Sequence, residues 1–481
     1  MTGDQMHIKS TFKKDFFWYL LASIGPMFIG FIKTPVFTRH FDTEAFGQLG
    51  IVSISFSFLG MMLFSWISSC LWRYYSNYKT SAGLTILYSN LLFLFTLSLI
   101  VLSFVSIAWI MESDTELVKE LIFYSFLQLI FNQLFLAYMV VIRLTGKSRY
   151  YTVFQAIRAL LSLALALLLV FYFDMGISAL VSSLVLVDMG SLTLLALANP
   201  AGIKVHFSQI NKAALKQLLR YGSLGFILNI SLLSVSYSDR YVIALYYDLE
   251  QVGIYDQVSK ISQLSILALI TVYFNTINPA LLKVLDADFK GSLTRIQNYL
   301  YPFILIGIPI VVYLSILSEE IAGVLLGINF REGYVMMPYI FMATYLHGLS
   351  NFFELRLKFS NQLKWLGGIA VITALLNVLL NLVFMAKYGY QWAAYTTLIS
   401  YVFMVLLFYY RDKEVMKLPS GKRVILWKMF LLLTVQYLIF NIFVDKMDLQ
   451  REHRIALGLI FALTYFLYFR KSITELKIPV N

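Results

Sequence analysis

Charge is scarce in this chain: only 13% of its 481 residues are Asp, Glu, Lys or Arg, about half the share of a soluble domain. There is one cysteine, Cys70, so no internal disulfide can form. The five histidines (His7, His40, His206, His347 and His453) are scattered. No His-x3-His pair exists to suggest a zinc site. No Gly-x4-Gly-Lys-Ser/Thr sequence occurs. Gly421-Lys422 lacks both the upstream glycine and the hydroxyl, so this chain does not drive its work with a P-loop. No Ser/His/Asp arrangement can be placed. These absences exclude a soluble enzyme, a disordered chain and a nucleic-acid-binding domain. The net charge of +12 is read instead as loop charge that sets membrane topology.

Apolar residues are abundant, at 59% with a mean hydropathy of +0.75. At roughly 20 residues per span, they suffice for on the order of fourteen membrane helices. The apolar stretches fall at residues 16–38, 46–71, 84–110, 119–143, 150–172, 177–198 and 218–245. They continue at 253–282, 299–318, 334–356, 364–386, 390–410, 425–444 and 455–469. The runs are continuously apolar, which predicts helices and not the alternation of a barrel. The first run is long and lacks a small-residue cleavage site, so it reads as a retained span.

Fourteen spans place both termini on one side. Sorting the 38 Lys and Arg residues by loop puts 27 on that side and seven on the other, with four inside spans. The positive-inside rule predicts cytoplasmic termini. The opposite loops are acidic, with Glu112, Asp114, Glu116 and Glu120 in one and Glu319, Glu320 and Glu332 in another. All loops are short, leaving no room for an appended soluble domain. Asp286-Ala287-Asp288 has the spacing of an acidic pair that holds a metal-bound sugar nucleotide. In a basic loop without an accompanying domain it reads as a solvated turn.

An internal repeat organises the spans. Phe41-Asp42-Thr43-Glu44-Ala45-Phe46-Gly47 and Tyr247-Asp248-Leu249-Glu250-Gln251-Val252-Gly253 share aromatic-Asp-x-Glu-x-apolar-Gly. Leu169-Val170-Phe171 with Gly176 matches Leu382-Val383-Phe384 with Gly389. Both offsets are close to 210 residues, or six spans. Six is even, which predicts parallel repeats and two six-helix lobes around a cleft, an alternating-access architecture. The expected division is an N-lobe over 1–200, a C-lobe over 201–412, and two extra spans with a cytoplasmic tail over 413–481.

An ionisable side chain in a span costs roughly 2.5–3.5 kcal/mol on insertion scales and so usually faces an interior or a wet cavity. Lys33, Arg158, Arg240 and Lys260 are the intramembrane cations; Lys33, Arg240 and Lys260 lie at similar depth in spans 1, 7 and 8. If they share one cleft, it is cationic and would draw in an anionic headgroup. Lys260 also stands four residues after Asp256, the spacing of an ordinary helical ion pair. Asp239 and Arg240 are sequential and are expected to point apart. Asp188, near the middle of span 6, and Asp239 are candidates for ion or proton coupling. Glu354 is expected to pair with Arg356 near the cytoplasm. Asn377 and Asn381 share a helix face, and Thr396 and Thr397 lie on the next span. With Asp239 these could offer oxygen ligands to a small cation, against the plainer reading of interhelical hydrogen bonds.

The run Pro35-Val36-Phe37-Thr38-Arg39-His40-Phe41 with Phe46-Gly47-Gln48-Leu49 resembles the amino-terminal signature of bacterial Wzx-type oligosaccharide flippases. Asp239-Arg240-Tyr241-Val242-Ile243, Val252-Gly253-Ile254-Tyr255 and Lys260 resemble the start of their second lobe. Asn377 to Asn381, Tyr388-Gly389 and Ala393-Ala394 resemble their span 11–12 junction. That family belongs to the multidrug/oligosaccharidyl-lipid/polysaccharide superfamily. The resemblance implies an all-helical, MATE-like pair of lobes around a central cavity. It implies a polyprenyl-pyrophosphate-linked oligosaccharide as substrate, moved across the bacterial inner membrane, with membrane lipids and a downstream polymerase as partners. It also implies that Asp239, Asn377, Asn381 and Thr397 could form a sodium site like that of related lipid-precursor flippases; a proton is the other coupling ion considered. No other cofactor is expected. The competing readings are a multidrug exporter of the same superfamily and, in another class, a membrane polysaccharide polymerase or glycosyltransferase.

Overall fold

The computed structural model describes residues 25–78, 80–287, 291–360, 362–447 and 450–474. The start of the first expected span (16–24), Lys9, Lys13, Lys14, His7 and Asp288 lie outside the described residues. Among those described, every regular element is a helix. They are α1 (25–37), α2 (Thr43–Leu63), α3 (Ser65–Tyr74), α4 (Ser81–Glu112), α5 (Glu116–Leu144), α6 (Ser148–Phe171), α7 (Ala179–Ala198) and α8 (Lys212–Tyr246). After them come α9 (Leu249–Ala287), α10 (Ser292–Ile316), α11 (Ser318–Leu325), α12 (Met337–Phe359), α13 (Leu363–Tyr388), α14 (Trp392–Arg411), α15 (Ser420–Met447) and α16 (Arg451–Thr474). Three short 3-10 turns complete the set.

Eleven stretches among the described residues are helical, long and apolar enough to cross a membrane, α2 with α3 forming one of them. The chain is a multi-pass membrane protein with an all-helical fold. The other three expected spans correspond to α1, α8 and α12. α12 is less apolar for a packing reason. It lies against α9, α10 and α14, and Ile340, Phe341, Tyr345, Phe352 and Phe353 are all buried. A helix screened by its neighbours need not match lipid on every face, so it tolerates His347, Ser350 and Glu354.

The chain divides into two compact units. The first holds the residues up to Lys33 together with Glu44–Tyr237; the second holds Thr34–Thr43 together with the residues from Ser238 onwards. In the first unit α5 and α6 pack on α7. In the second, α12 is central and α15 and α16 pack on α10.

The two sequence repeats are repeated local structures. Asp42 and Asp248 each stand just before a helix start, and Glu44 and Glu250 each sit in the first turn that follows. Acidic groups there favour the positive end of the helix dipole. Gly176 and Gly389 each precede a two-residue turn that opens into a helix. The bonds Ala179 N to Gly176 O (3.0 Å) and Trp392 N to Gly389 O (3.1 Å) are equivalent.

Pro309 lies inside α10 and cannot donate to the carbonyl four residues back, which is Leu305. The Tyr465 hydroxyl of α16 donates to that carbonyl at 2.6 Å. Gln436 of α15 and Tyr313 of α10 bond at 2.8 Å, and both donate to the Phe461 carbonyl of α16. The two last helices are thus fastened to α10 by polar groups placed where its own backbone ladder is broken.

Candidate functional site

In the first unit, α5 carries Ser125, Gln128 and Asn132, spaced three and four apart and so on one face, with Gln133 next to them. α2 and α3 carry Ser53, Ser57, Ser65 and Ser68 at helical spacing. Together with Tyr237 these side chains line a cavity of about 520 Å³, whose apolar wall includes Phe56, Leu129, Leu136 and Leu184. Among the described residues, none that lines it is charged. Gly60 lets α2 and α5 approach: a Cβ there would stand 2.7 Å from a Leu129 methyl and 3.4 Å from the Gln133 amide nitrogen. This stripe was missed in the sequence because attention went to ionisable groups. Its three-and-four spacing within spans 46–71 and 119–143 was the available signal.

Behind the stripe stands an ion pair. Asp188 on α7 is fully buried, and Arg158 on α6 grips it with Nε on one oxygen and Nη2 on the other, the second at 2.9 Å. Asn132 donates its amide nitrogen to the same second oxygen at 3.1 Å. The Arg158 guanidinium also lies over the Phe135 ring. Lys33 of α1 donates to Ser162 at 3.0 Å, four residues after Arg158 on α6. The structure therefore brings Lys33, Arg158 and Asp188 onto neighbouring turns of one unit.

In the second unit, Asp239, Arg240, Asp256 and Lys260 form one chain of charges. Arg240 Nη1 meets Asp239 at 2.8 Å and Arg240 Nε meets Asp256 at 3.5 Å. Lys260 meets Asp256 at 3.3 Å. Tyr255 donates to the other Asp239 oxygen and offers its ring to the guanidinium at 4.8 Å. Asp239 and Arg240 were expected to point apart, and they do not. The Asp239 carboxylate turns back to accept from the Arg240 backbone N–H at 3.0 Å, and the long arginine reaches round to the same oxygen. Two cations and two carboxylates sum to zero. Arg240 is 2% exposed, whereas the Lys260 side chain is 52% exposed. Glu354 also pairs differently from expectation, with Lys358 at 3.1 Å, while Arg356 turns to Asp412 on the segment after α14.

Asn377, Asn381, Thr396 and Thr397 are buried together. Asn377 Oδ1 accepts from Ser238 at 3.1 Å and from Asn381 at 3.2 Å. Asn377 donates to Thr397 at 3.5 Å, and Asn381 accepts from Thr396. The Asp239 oxygens are held by Arg240 and Tyr255. A sodium ion gathering these oxygens would have to use the lone pairs that those bonds leave over.

A second cavity, of about 420 Å³, lies in the second unit among Glu319, Glu320, Arg331, Glu332, Arg451 and Arg454. Arg454 meets Glu319 at 2.6 Å and Glu320 at 3.8 Å. Glu320 Oε2 is buried without a hydrogen-bond partner among the described residues. Burial raises the Glu320 carboxyl above its ordinary value of 4.5, with its own backbone N–H opposing and Glu319 reinforcing the shift. A raised carboxyl favours protonation in the folded chain. Its stabilising contribution is full below the ordinary value and is lost as pH rises through the raised one. Glu320→Gln is therefore expected to raise the melting temperature at neutral pH, the difference closing as the pH approaches ~4. A thermal-shift series over that range checks it; a constant difference at every pH would contradict the assignment.

A sequence model for the family described as polysaccharide biosynthesis protein matches residues 12–285, more than half of the chain. The chain belongs to that family. The match spans the Pro35–Phe41 and Asp239–Lys260 motifs and bears out the polysaccharide family read from them. Comparison with curated proteins gives no match for this member of the polysaccharide biosynthesis family. Solved structures give its fold. The lipid II flippase MurJ, inward closed, superposes with a TM-score of 0.74 at 17% identity, covering 94% of this chain and 98% of that one. An inward-facing multidrug resistance MATE family transporter of the MOP superfamily gives 0.61 at 11% identity, with 84% and 95% covered. A substituted form of the Vibrio cholerae MATE transporter VcmN gives 0.53 at 12%, with 86% and 100% covered. The expected MATE-like architecture is thus the fold of this polysaccharide biosynthesis protein.

Proposed function

We propose that this chain is a flippase that carries a polyprenyl-pyrophosphate-linked oligosaccharide from the cytoplasmic to the outer leaflet of the bacterial inner membrane. The observation that supports this best is the cavity of the first unit. A member of a polysaccharide biosynthesis family carries, among membrane helices, a cavity of about 520 Å³ rich in hydroxyl and amide groups. Such groups are costly in lipid unless they meet hydrogen-bonding partners, and a glycan supplies many. The likeness to a lipid II flippase supports the same reading by its fold.

The headgroup carries negative charge. Lys33 donates to the Ser162 hydroxyl, and the Lys260 side chain is 52% exposed while it meets Asp256 at 3.3 Å. These two lysines are the attraction points for phosphate, while Arg158 and Arg240 chiefly neutralise Asp188 and Asp239. The polyprenyl tail stays in lipid. Alternating exposure of the cavity to the two sides of the membrane moves the glycan, with both termini cytoplasmic. Net direction comes from ion or proton exchange at Asp188 or Asp239, or from a polymerase that withdraws the product. No bond in the substrate is made or broken, so the chain acts as a transporter and not as an enzyme.

Leaflet-selective labelling of the lipid-linked oligosaccharide pool in a deletion strain tests this. Repeat units trapped on the cytoplasmic leaflet are expected. Units that reach the outer leaflet and stay unpolymerised would place the chain downstream and overturn the reading.

A further inference from the structure

The charged and uncharged parts of the first-unit site are arranged in depth. Asn132 lines the cavity, yet its amide nitrogen is committed to Asp188 at 3.1 Å. Asp188 is in turn held on both oxygens by Arg158. The Asn132 amide is thereby oriented, with its nitrogen turned to the ion pair, while the residue also lines the cavity. Gln128 and Gln133, five residues apart on α5, add two more amides, and Ser57 adds a hydroxyl from α2.

We infer that Ser57, Gln128, Asn132 and Gln133 form a subsite for uncharged sugar units, and that Arg158 and Asp188 position it from behind and do not clamp pyrophosphate. This rests on the flippase reading. The chemistry matches on both sides. Each primary amide offers two donors and a two-lone-pair acceptor, the complement of sugar hydroxyls and N-acetyl groups. Half-buried amides that lose water when a ligand enters disfavour one that leaves them unpaired. The site also disfavours an acidic sugar, because among the described residues no cationic side chain lines the cavity and a charge buried without a partner is costly. Arg158 already spends its positive charge and two of its five donors on Asp188, which is 0% exposed, so a phosphate drawing on that charge would compete with the buried carboxylate. Breaking a buried pair leaves an uncompensated charge.

The test uses the full chain reconstituted in nanodiscs. Three probes are titrated: undecaprenyl pyrophosphate alone, the same lipid bearing a neutral N-acetylhexosamine disaccharide, and the same lipid bearing a hexuronate in place of one sugar. Native mass spectrometry reads the affinities. The neutral glycolipid is expected to bind roughly tenfold tighter than either other probe. Gln128→Leu and Gln133→Leu are each expected to lower the ratio of neutral-glycan to bare-lipid affinity by about five- to tenfold, one or two hydrogen bonds' worth. The double variant Arg158→Gln with Asp188→Asn keeps size and polarity and is expected to lower the same ratio. Equal binding of bare and glycosylated lipid, or preference for the hexuronate, overturns the subsite. A fall in bare-lipid affinity with the ratio intact in the double variant makes the pair a phosphate clamp and overturns its positioning role. Binding of none of the three by the parent protein overturns the flippase reading itself.

Discussion

Arg240→Leu is expected to cost the second unit about 3–5 kcal/mol, the range for removing one partner of a buried ion pair. Arg240 is 2% exposed and stands between two carboxylates, Asp239 at 2.8 Å and Asp256 at 3.5 Å. Its guanidinium also covers the Tyr255 ring. Leucine fills much of the space and removes the charge, leaving Asp239 and Asp256 as neighbouring buried anions, with Lys260 paired to Asp256 alone among the described residues. The loss should appear as a lower unfolding temperature in detergent and a smaller monodisperse fraction. Arg240→Lys should recover only part of it, because an ammonium cannot span both carboxylates as the guanidinium does. Adding Asp239→Asn and Asp256→Asn to Arg240→Leu should recover more, since the penalty is charge and not volume. If Arg240→Leu were as stable as the parent while transport fell, Arg240 would be a substrate contact and the structural assignment would fail.

That distinction shows where sequence reading reaches and where it stops. Apolar length is a local property, so spans such as Ala179–Ala198 and Trp392–Arg411 could be read directly. The repeat was legible because Asp42 with Glu44 and Asp248 with Glu250 are helix-start chemistry, which is also local. α12 was legible as a helix, but its weak hydropathy made sense only once its neighbours α9, α10 and α14 were in place. Charge pairing is a long-range property. Arg158 and Asp188 lie on different helices, thirty residues apart, and nothing in either span announces the other. Counting intramembrane cations therefore overstated the positive charge, because Arg158, Arg240 and Lys260 are matched to Asp188, Asp239 and Asp256. The Asp239–Arg240 contact failed for a different reason. Helical spacing turns successive Cα–Cβ bonds apart, but it says nothing of where a long arginine ends. The uncharged stripe on α5 was present in the sequence as Ser125, Gln128, Asn132 and Gln133. It went unread because a glutamine in a span raises little alarm beside a lysine.

Gly327→Ala is expected to be the most disruptive single-methyl change in the second unit. Gly327 sits before the 3-10 turn that leads into α12, with an ordinary φ of −60°, so its backbone conformation suits any residue. The demand is for space. A Cβ built there would stand 1.9 Å from the Thr38 carbonyl oxygen and 2.5 Å from its carbon, both backbone atoms. Neither can yield alone, because the segment is pinned. Gly327 donates to Thr38 Oγ1 at 2.9 Å, and that hydroxyl donates to Thr34 O at 2.7 Å. Arg39 then bridges Pro35 O and Val324 O at 2.8 and 2.7 Å, and Thr43 donates to Glu250 at 3.1 Å. Overpacking a tight contact costs about 1–3 kcal/mol, occasionally more, and a backbone clash this close belongs at the upper end. Gly176→Ala is the matched control, since a Cβ there meets nothing within 4 Å. The expected result is a clear fall in unfolding temperature for Gly327→Ala and none for Gly176→Ala. Hydrogen exchange should rise selectively over residues 34–43, where the backbone would be forced off its seat. Parent-like exchange there would mean that Thr38 and Gly327 separate without cost. It would also mean that the Pro35–Phe41 motif owes its sequence to something other than this close approach.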